Sequence, residues 1–253
     1  MMEKLDYLIQ ELIKEDSSLS SIEFPSAINE KKDLYRALRS IRNPKPISTE
    51  YLKIQDEYLK EEIEKKGIVD EKSIPYDKEI ISIWKGDITT LKCDVIVNAC
   101  NEYLLGCFNP NHRCLDNTIH SFAGMELREE CNKIMKGKTL PNGEVVLTSA
   151  YNLPSQYIIQ TVGPHVNKIP TEKDKEDLKN CYHNSLKLCK EKGLNTIAFP
   201  CIATGLYGFS KTEASKIAIQ TVIDFIKENK GVFQHIIFNV YSEEDDKIYH
   251  ENL

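Results

Sequence analysis

The sequence predicts an α/β fold preceded by a helical segment. Two observations carry that expectation. Apolar residues in the first 66 positions recur at helical spacing, and from about residue 70 short β-rich runs alternate with longer helical stretches. Alternation of that kind builds an α/β sandwich around a largely parallel or mixed sheet.

Leu5, Leu8, Ile9, Leu12 and Ile13 follow the three-four spacing of an amphipathic helix. A second helix carries Leu34, Leu38 and Ile41 and stops before Asn43-Pro44-Lys45-Pro46, where the proline rings cannot continue it. Ser48 or Thr49 caps a third, with Leu52, Tyr58, Leu59 and Ile63 on its apolar face and Gly67 as its stop. The charged run EEIEKK at 61–66 reads as a solvated face. The apolar faces of these helices need covering, and packing within the chain is the default. The β-rich runs are 80–84, 95–98, 145–148, 157–161, 196–199 and 235–241, with helical stretches at 117–136, 175–192 and 211–229. The expected division is a helical extension over 1–68 and an α/β domain over 69–253.

Composition excludes several classes. A net charge of −6 disfavours a duplex nucleic-acid partner, which needs clustered cations, but leaves open a small anion held by backbone amides. No apolar run reaches the length of a membrane span, and the acid-punctuated N-terminus lacks a signal peptide's core, so a cytoplasmic location is expected. Of the eight cysteines none precedes Cys93, which favours free thiols or metal ligands over a disulfide framework. Cys93, Cys100, Cys107 and Cys114 recur every seven residues, but Gly106 and Pro110 interrupt any helix there, so the period is a coincidence.

Three segments carry candidate chemistry. Cys107, His112 and Cys114 form Cys-x4-His-x-Cys in a loop between a strand and a helix. Thiolates with an imidazole suit Zn²⁺, and three protein ligands leave a fourth position open. Two buried thiols beside a surface histidine would give the same spacing. Asp116 stands where a helix should begin and His120 one turn later on the same face, an acid–base or orienting pair or merely an N-cap and a packed ring. The third segment, Cys201 to Ser210, joins a strand to a helix. Gly205 and Gly208 permit positive φ, Ser210 and Glu213 match a capping box, and amides there would face an anion. An ordinary strand-to-helix turn reads the same way. No Gly-x-Gly-x-x-Gly fingerprint, phosphate-binding P-loop or Gly-x-Ser-x-Gly elbow occurs.

Taken in order, Gly86-Asp87-Ile88-Thr89, Asn98-Ala99-Cys100-Asn101, Leu115-Asp116-Asn117-Thr118-Ile119-His120 and Thr204-Gly205-Leu206-Tyr207-Gly208-Phe209 resemble the macrodomain family. The likeness runs from about residue 75 to the C-terminus, and the Cys-x4-His-x-Cys loop is similar to that of its zinc-containing branch. The resemblance implies a three-layer α/β/α fold with a mixed central sheet and a cleft for ADP-ribose. It implies that Asp87, with Ile88 beside it, meets the adenine and that Asn98 and Asn101 line the distal ribose. It also implies that Thr204, Gly205, Leu206, Tyr207, Gly208 and Phe209 wrap the diphosphate and its ribose. Asp116, Asn101 and His120 would be the catalytic group, and Cys107, His112 and Cys114 would hold one Zn²⁺.

Two positions depart from the family pattern. Cys100 replaces the second alanine of Asn-Ala-Ala-Asn, where it adds a thiol to the cleft or fills core space. Asn111 and Arg113 flank His112 where relatives often have cysteine and glycine. The implied activity is zinc-dependent hydrolysis of mono-ADP-ribose from modified proteins, from acidic side chains in preference to arginine, by a monomer. The rival is a non-catalytic ADP-ribose reader with a structural zinc, because one fold serves both.

Overall fold

The computed structural model describes residues 2–253. It begins with three helices, α1 (Met2–Lys14), α2 (Ile28–Ile41) and α3 (Thr49–Lys66). Ser48 caps α3 by accepting the Tyr51 amide at 3.1 Å, and Gly67 ends it at φ 88°. Leu5, Leu8, Ile9 and Leu12 of α1 pack on Tyr35 and Leu38 of α2 and on Tyr51, Tyr58 and Leu59 of α3. Met125, from the following part of the chain, enters the same core.

The strands are β1 (Val69–Asp70), β2 (Ile81–Lys85), β3 (Leu91–Lys92), β4 (Val95–Ala99), β5 (Val145–Ser149), β6 (Tyr157–Thr161), β7 (Thr196–Phe199) and β8 (His235–Val240). β1 and β3 form a two-residue parallel ribbon, and the main sheet has the order β2-β8-β7-β4-β6-β5. Every pair in it is parallel except β5 with β6, so the sheet is mixed. The remaining helices are α4 (Leu115–Ala123), α5 (Met125–Met135), α6 (Glu172–Lys192), α7 (Lys211–Glu228) and α8 (Glu243–Asn252).

Strand periodicity explains the layers. Val95 and Val97 of β4, Ile197 and Phe199 of β7, and Ile236 and Phe238 of β8 enter one core with Leu178, Tyr182 and Leu186 of α6 and Ala218 and Val222 of α7. The intervening Ile96, Ala198 and Ile237 enter the other core, with Ile119 and Ala123 of α4 and Leu127 and Cys131 of α5. Because alternate side chains point to opposite faces, apolar strands with no polar face require a helical layer on each side. The structure therefore has the expected α/β/α layering. No helix among the described residues is long and apolar enough to cross a membrane.

Two sequence expectations need correction. The stretch 117–136 is two helices, not one, because Gly124 turns the chain at φ 115°. The first amide of α5 then lacks a local cap, and Gln55 of α3 accepts it at 3.0 Å. A Cβ on Gly124 would lie 2.8 Å from the Gln55 amide nitrogen and 2.9 Å from a Glu126 carboxylate oxygen, and with φ at 115° this crowding favours glycine there. Sequence pattern also does not announce α8. Its acidic first turn, Glu243 to Asp246, conceals the buried Tyr249, although Ser242 and Asp245 form a full capping box.

Candidate active site

The loops that carry the candidate residues leave the carboxyl ends of β2, β4 and β7, where open α/β sheets place their ligands. β4 and β7 are neighbours, so the 100–114 and 200–210 loops lie side by side. Gly106 reverses the first loop at φ 77°, and Asn111 takes a left-handed φ of 56° that asparagine tolerates.

Folding brings Cys107, His112 and Cys114 together, with one donor atom from each lying within 4.8 Å of the others. The Cys107 sulfur is 3.3 Å from His112 Nδ1. In a tetrahedral zinc site such donors stand about 3.5 Å apart, so Cys107 and His112 already stand at ligand spacing, and two thiols with an imidazole suit the ion. Burial pushes the Cys114 thiol up to about 11, and a bound cation would displace its proton. Cys114, not Asp116, is the N-cap of α4, its sulfur accepting the Asn117 amide at 3.4 Å.

Asp116 is thereby free for another role. It is buried, and Asn98 donates its amide to Asp116 Oδ1 at 2.8 Å. The same amide donates to Gln160 Oε1 at 2.8 Å, and Gln160 donates onward to Thr148 Oγ1 at 3.2 Å. This buried chain fixes the Asn98 side chain and hence the carboxylate. Burial pushes the Asp116 carboxyl up to about 6, against the Asn98 hydrogen bond and the field of Arg128. His120 Nε2 lies 3.5 Å from Asp116 Oδ1, but burial and Arg128 push the imidazole down to about 3. The ring is therefore neutral at pH 7, the contact is no ion pair, and neither ring nitrogen has a partner among the described residues. Asn101 sits apart from this chain, bridging its own loop by donating to Gly106 O at 3.1 Å and accepting the Tyr103 amide at 3.0 Å. Cys100 is a core residue, its thiol donating to Thr161 O at 3.3 Å.

In the second loop, the Gly208 amide donates to Gly205 O and the Phe209 amide to Ala203 O, each at 3.0 Å. Among the described residues, the amides of Thr204, Gly205, Leu206 and Tyr207 donate to no backbone carbonyl, which leaves a run of donors for an anion. Only Gly208 uses the positive φ anticipated for both glycines, at 72°; a Cβ on Gly205 would meet nothing within 4 Å. Phe209 is buried in the core, whereas Leu206 is exposed and Tyr207 half-buried. Burial, with smaller contributions from Cys100, Glu102 and Asp116, raises the Tyr207 phenol above its ordinary value. Ser210 caps α7 by accepting the Glu213 amide at 3.4 Å, while the reciprocal half of the expected capping box is not formed.

Asp87 begins the short 3₁₀ turn Ile88–Thr90, accepting the Thr89 amide at 3.0 Å and its hydroxyl at 2.6 Å. Its second oxygen accepts Lys66 Nζ at 2.6 Å. Burial opposes ionisation of Asp87, but the bonds from Lys66 and Thr89 outweigh it and lower the pKa. Lys66 belongs to the run read as a solvated face. Its ammonium instead lies 3.5 Å from the Phe122 ring centroid and reaches the site, because α3 docks against the loop after β2. Sequence spacing held no signal for that contact.

Residues 97–218 match the Macro domain family. The chain is 40% identical over 252 residues to a protein-ADP-ribose hydrolase of Staphylococcus aureus (strain MRSA252), covering 98% of this chain and 94% of the relative. The chain belongs to the macrodomain family. A protein-ADP-ribose hydrolase of Treponema medium is 40% identical over 258 residues, covering 98% and 97% of the two chains. Among solved structures, the Oceanobacillus iheyensis macrodomain with ADP matches at TM-score 0.62 and 42% identity, over 70% of this chain and 92% of that one. The Trypanosoma brucei macrodomain in complex with ADP-ribose matches at TM-score 0.67 and 27% identity, over 85% and 94%.

This macrodomain holds a second arrangement of catalytic type, far from the loops. Ser82 Oγ lies 2.7 Å from His235 Nε2, and His235 Nδ1 lies 2.7 Å from Glu71 Oε2. Ser82 has no exposed surface and donates to Pro75 O at 2.7 Å, so the trio ties the 69–75 segment to the sheet and no substrate reaches it. Sequence reasoning also missed Arg36, Arg39 and Arg128, which join the extension to the macrodomain. Arg128 donates to the carbonyls of Arg39, Ser40 and Arg42 at 2.8, 3.0 and 2.6 Å, capping the end of α2. Arg39 donates to Ser121 O at 2.6 Å.

Proposed function

We propose that this macrodomain is a protein-ADP-ribose hydrolase that removes mono-ADP-ribose from acidic side chains, with Zn²⁺ held by Cys107, His112 and Cys114. The observation that carries the reading is the placement of a buried, oriented carboxylate, Asp116, two residues beyond a convergent Cys–His–Cys set. The names of the relatives support the substrate class.

Asp87 would accept the adenine amino group, with Ile88 beside it, and the amides from Thr204 to Tyr207 would receive the diphosphate, together positioning the distal ribose. Asn98 and Asn101 would border that ribose. Zinc, when bound, supplies Lewis acidity toward an oxygen at the reacting end. Asp116, ionised at neutral pH and aimed by Asn98, would take a proton from the attacking water. The bond from C1″ to the linking oxygen breaks, and that oxygen leaves as the carboxylate of the modified Asp or Glu. A carboxylate departs without a proton, which suits a site whose neighbouring imidazole, His120, is neutral. An arginine linkage would call for a general acid. His120 would act by packing beside Asp116.

The extension, 1–68, and the macrodomain, 69–253, would work as one cytoplasmic, monomeric unit. The test is release of free ADP-ribose from a mono-ADP-ribosylated protein, before and after chelation, with Cys107→Ala, His112→Ala and Asp116→Asn. Each change is expected to lower turnover by roughly 10²-fold or more, the usual scale for losing a metal or a general base. ADP-ribose binding by calorimetry should persist. Full turnover by the chelated protein and both metal-site variants would sink the zinc reading, and stoichiometric binding without release would make the protein a reader.

A further inference from the structure

One arginine of the extension reaches the candidate metal loop. Arg36, half-way along α2, donates Nε to Asn117 Oδ1 at 2.9 Å and Nη2 to Thr118 Oγ1 at 3.0 Å. The same Nη2 approaches the carbonyl of His112 at 3.4 Å. Asn117 is buried and uses both ends of its amide. Its Nδ2 donates to Cys107 O at 3.2 Å and to Ser40 Oγ of α2 at 2.9 Å. Its backbone amide donates to the Cys114 sulfur at 3.4 Å.

All three candidate ligands are therefore gripped by a single pair: Cys107 through its carbonyl, His112 through its carbonyl and Cys114 through its sulfur. The guanidinium's rigid fork can serve several acceptors at once, which a lysine ammonium on a flexible stem cannot reproduce. Asp33, one turn earlier on α2, also comes within 3.9 Å of Arg113 beside His112. Within the loop the Cys107 sulfur meets His112 Nδ1 at 3.3 Å and the His112 amide meets Asn109 O at 3.2 Å; these bonds join loop residues to one another, and the contacts to Arg36 and Asn117 tie the loop to α2 and α4.

We propose that Arg36 and Asn117 form a positioning pair that presets Cys107, His112 and Cys114 for a thiolate-binding divalent cation. The helical extension then supplies the outer support of that centre and is no mere appendage. Groups that orient ligands from outside the coordination sphere set metal affinity, and losing one costs roughly 10–100-fold. The inference rests on the metal-centre reading above.

The test uses the full chain and two probe metals. Zn²⁺ affinity is measured by competition with a chromophoric chelator, and the Co²⁺-loaded protein is read by its thiolate-to-metal absorption. Arg36→Ala is expected to weaken Zn²⁺ binding roughly 10–100-fold and to alter the Co²⁺ bands. Arg36→Lys should restore the fold and little of the affinity. Arg42→Ala serves as the control, because Arg42 binds Glu15, just past the end of α1, at 2.6 and 2.9 Å, and its loss loosens the extension without touching the loop. Affinity within twofold of wild type for both Arg36 variants would overturn the proposal, as would an equal loss in Arg42→Ala. If the wild-type chain bound neither metal tightly, the metal-centre reading itself would fall, a result distinct from both.

Discussion

Gly106 offers the sharpest test of how the candidate metal loop is built, because it can be compared with a glycine of nearly the same φ. Gly106 has φ 77° and Gly193, which ends α6, has φ 70°. Forcing an L-residue into this left-handed region costs about 1–2 kcal/mol at either site. Their surroundings differ. A Cβ at Gly193 meets nothing within 4 Å, whereas at Gly106 it would lie 3.0 Å from His120 Cγ and 3.2 Å from Arg128 Nη2. Both of those side chains are buried, and Arg128 is fixed by three carbonyls, so neither yields easily. Overpacking of that kind adds about 1–3 kcal/mol. Gly193→Ala should therefore lose about 1–2 kcal/mol in urea unfolding, and Gly106→Ala about 2–5 kcal/mol at an unchanged m-value. Equal losses in the two variants, within about 0.5 kcal/mol, would refute the close-packing argument and leave only the backbone cost.

His120 makes stability pH-dependent. Its folded pKa, about 3, lies below the ordinary 6.5, so the unfolded chain binds a proton that the native chain refuses, and stability falls as pH drops from 6.5 toward 3. Between pH 7 and pH 5 this amounts to about 2 kcal/mol, and His120→Phe, which breaks no hydrogen bond, should remove it from paired urea titrations. An unchanged pH slope would show that the imidazole takes up its proton in the fold as readily as in the unfolded chain. Removing residues 1–68 strips Gln55 from the α5 amide, Arg36 from Asn117 and the apolar cover from Met125. The truncated chain should aggregate or lose activity, measured by gel filtration and ADP-ribose release; a soluble, fully active product would show the extension dispensable.

Local chemistry made much of this protein legible in its sequence. Helical spacing marked α1 to α3, β-rich runs marked the six strands of the main sheet, and punctuation by Pro44, Pro46 and Gly67 marked boundaries. The Cys-x4-His-x-Cys spacing picked out a set that does converge, within a loop that Asn111 bends at a left-handed φ of 56°. What the tertiary structure decided depended on contacts between distant segments. Lys66 reached Asp87 across 21 residues and Arg36 reached Asn117 across 81, through helix docking that no spacing rule records. The raised carboxyl pKa of Asp116 and the neutrality of His120 were set by burial, which one helical turn of sequence does not express. Order along the chain determines which groups are local neighbours. The docking of the extension decided which of them are held, desolvated and charged, because those properties belong to the surroundings of a residue and not to its neighbours in order.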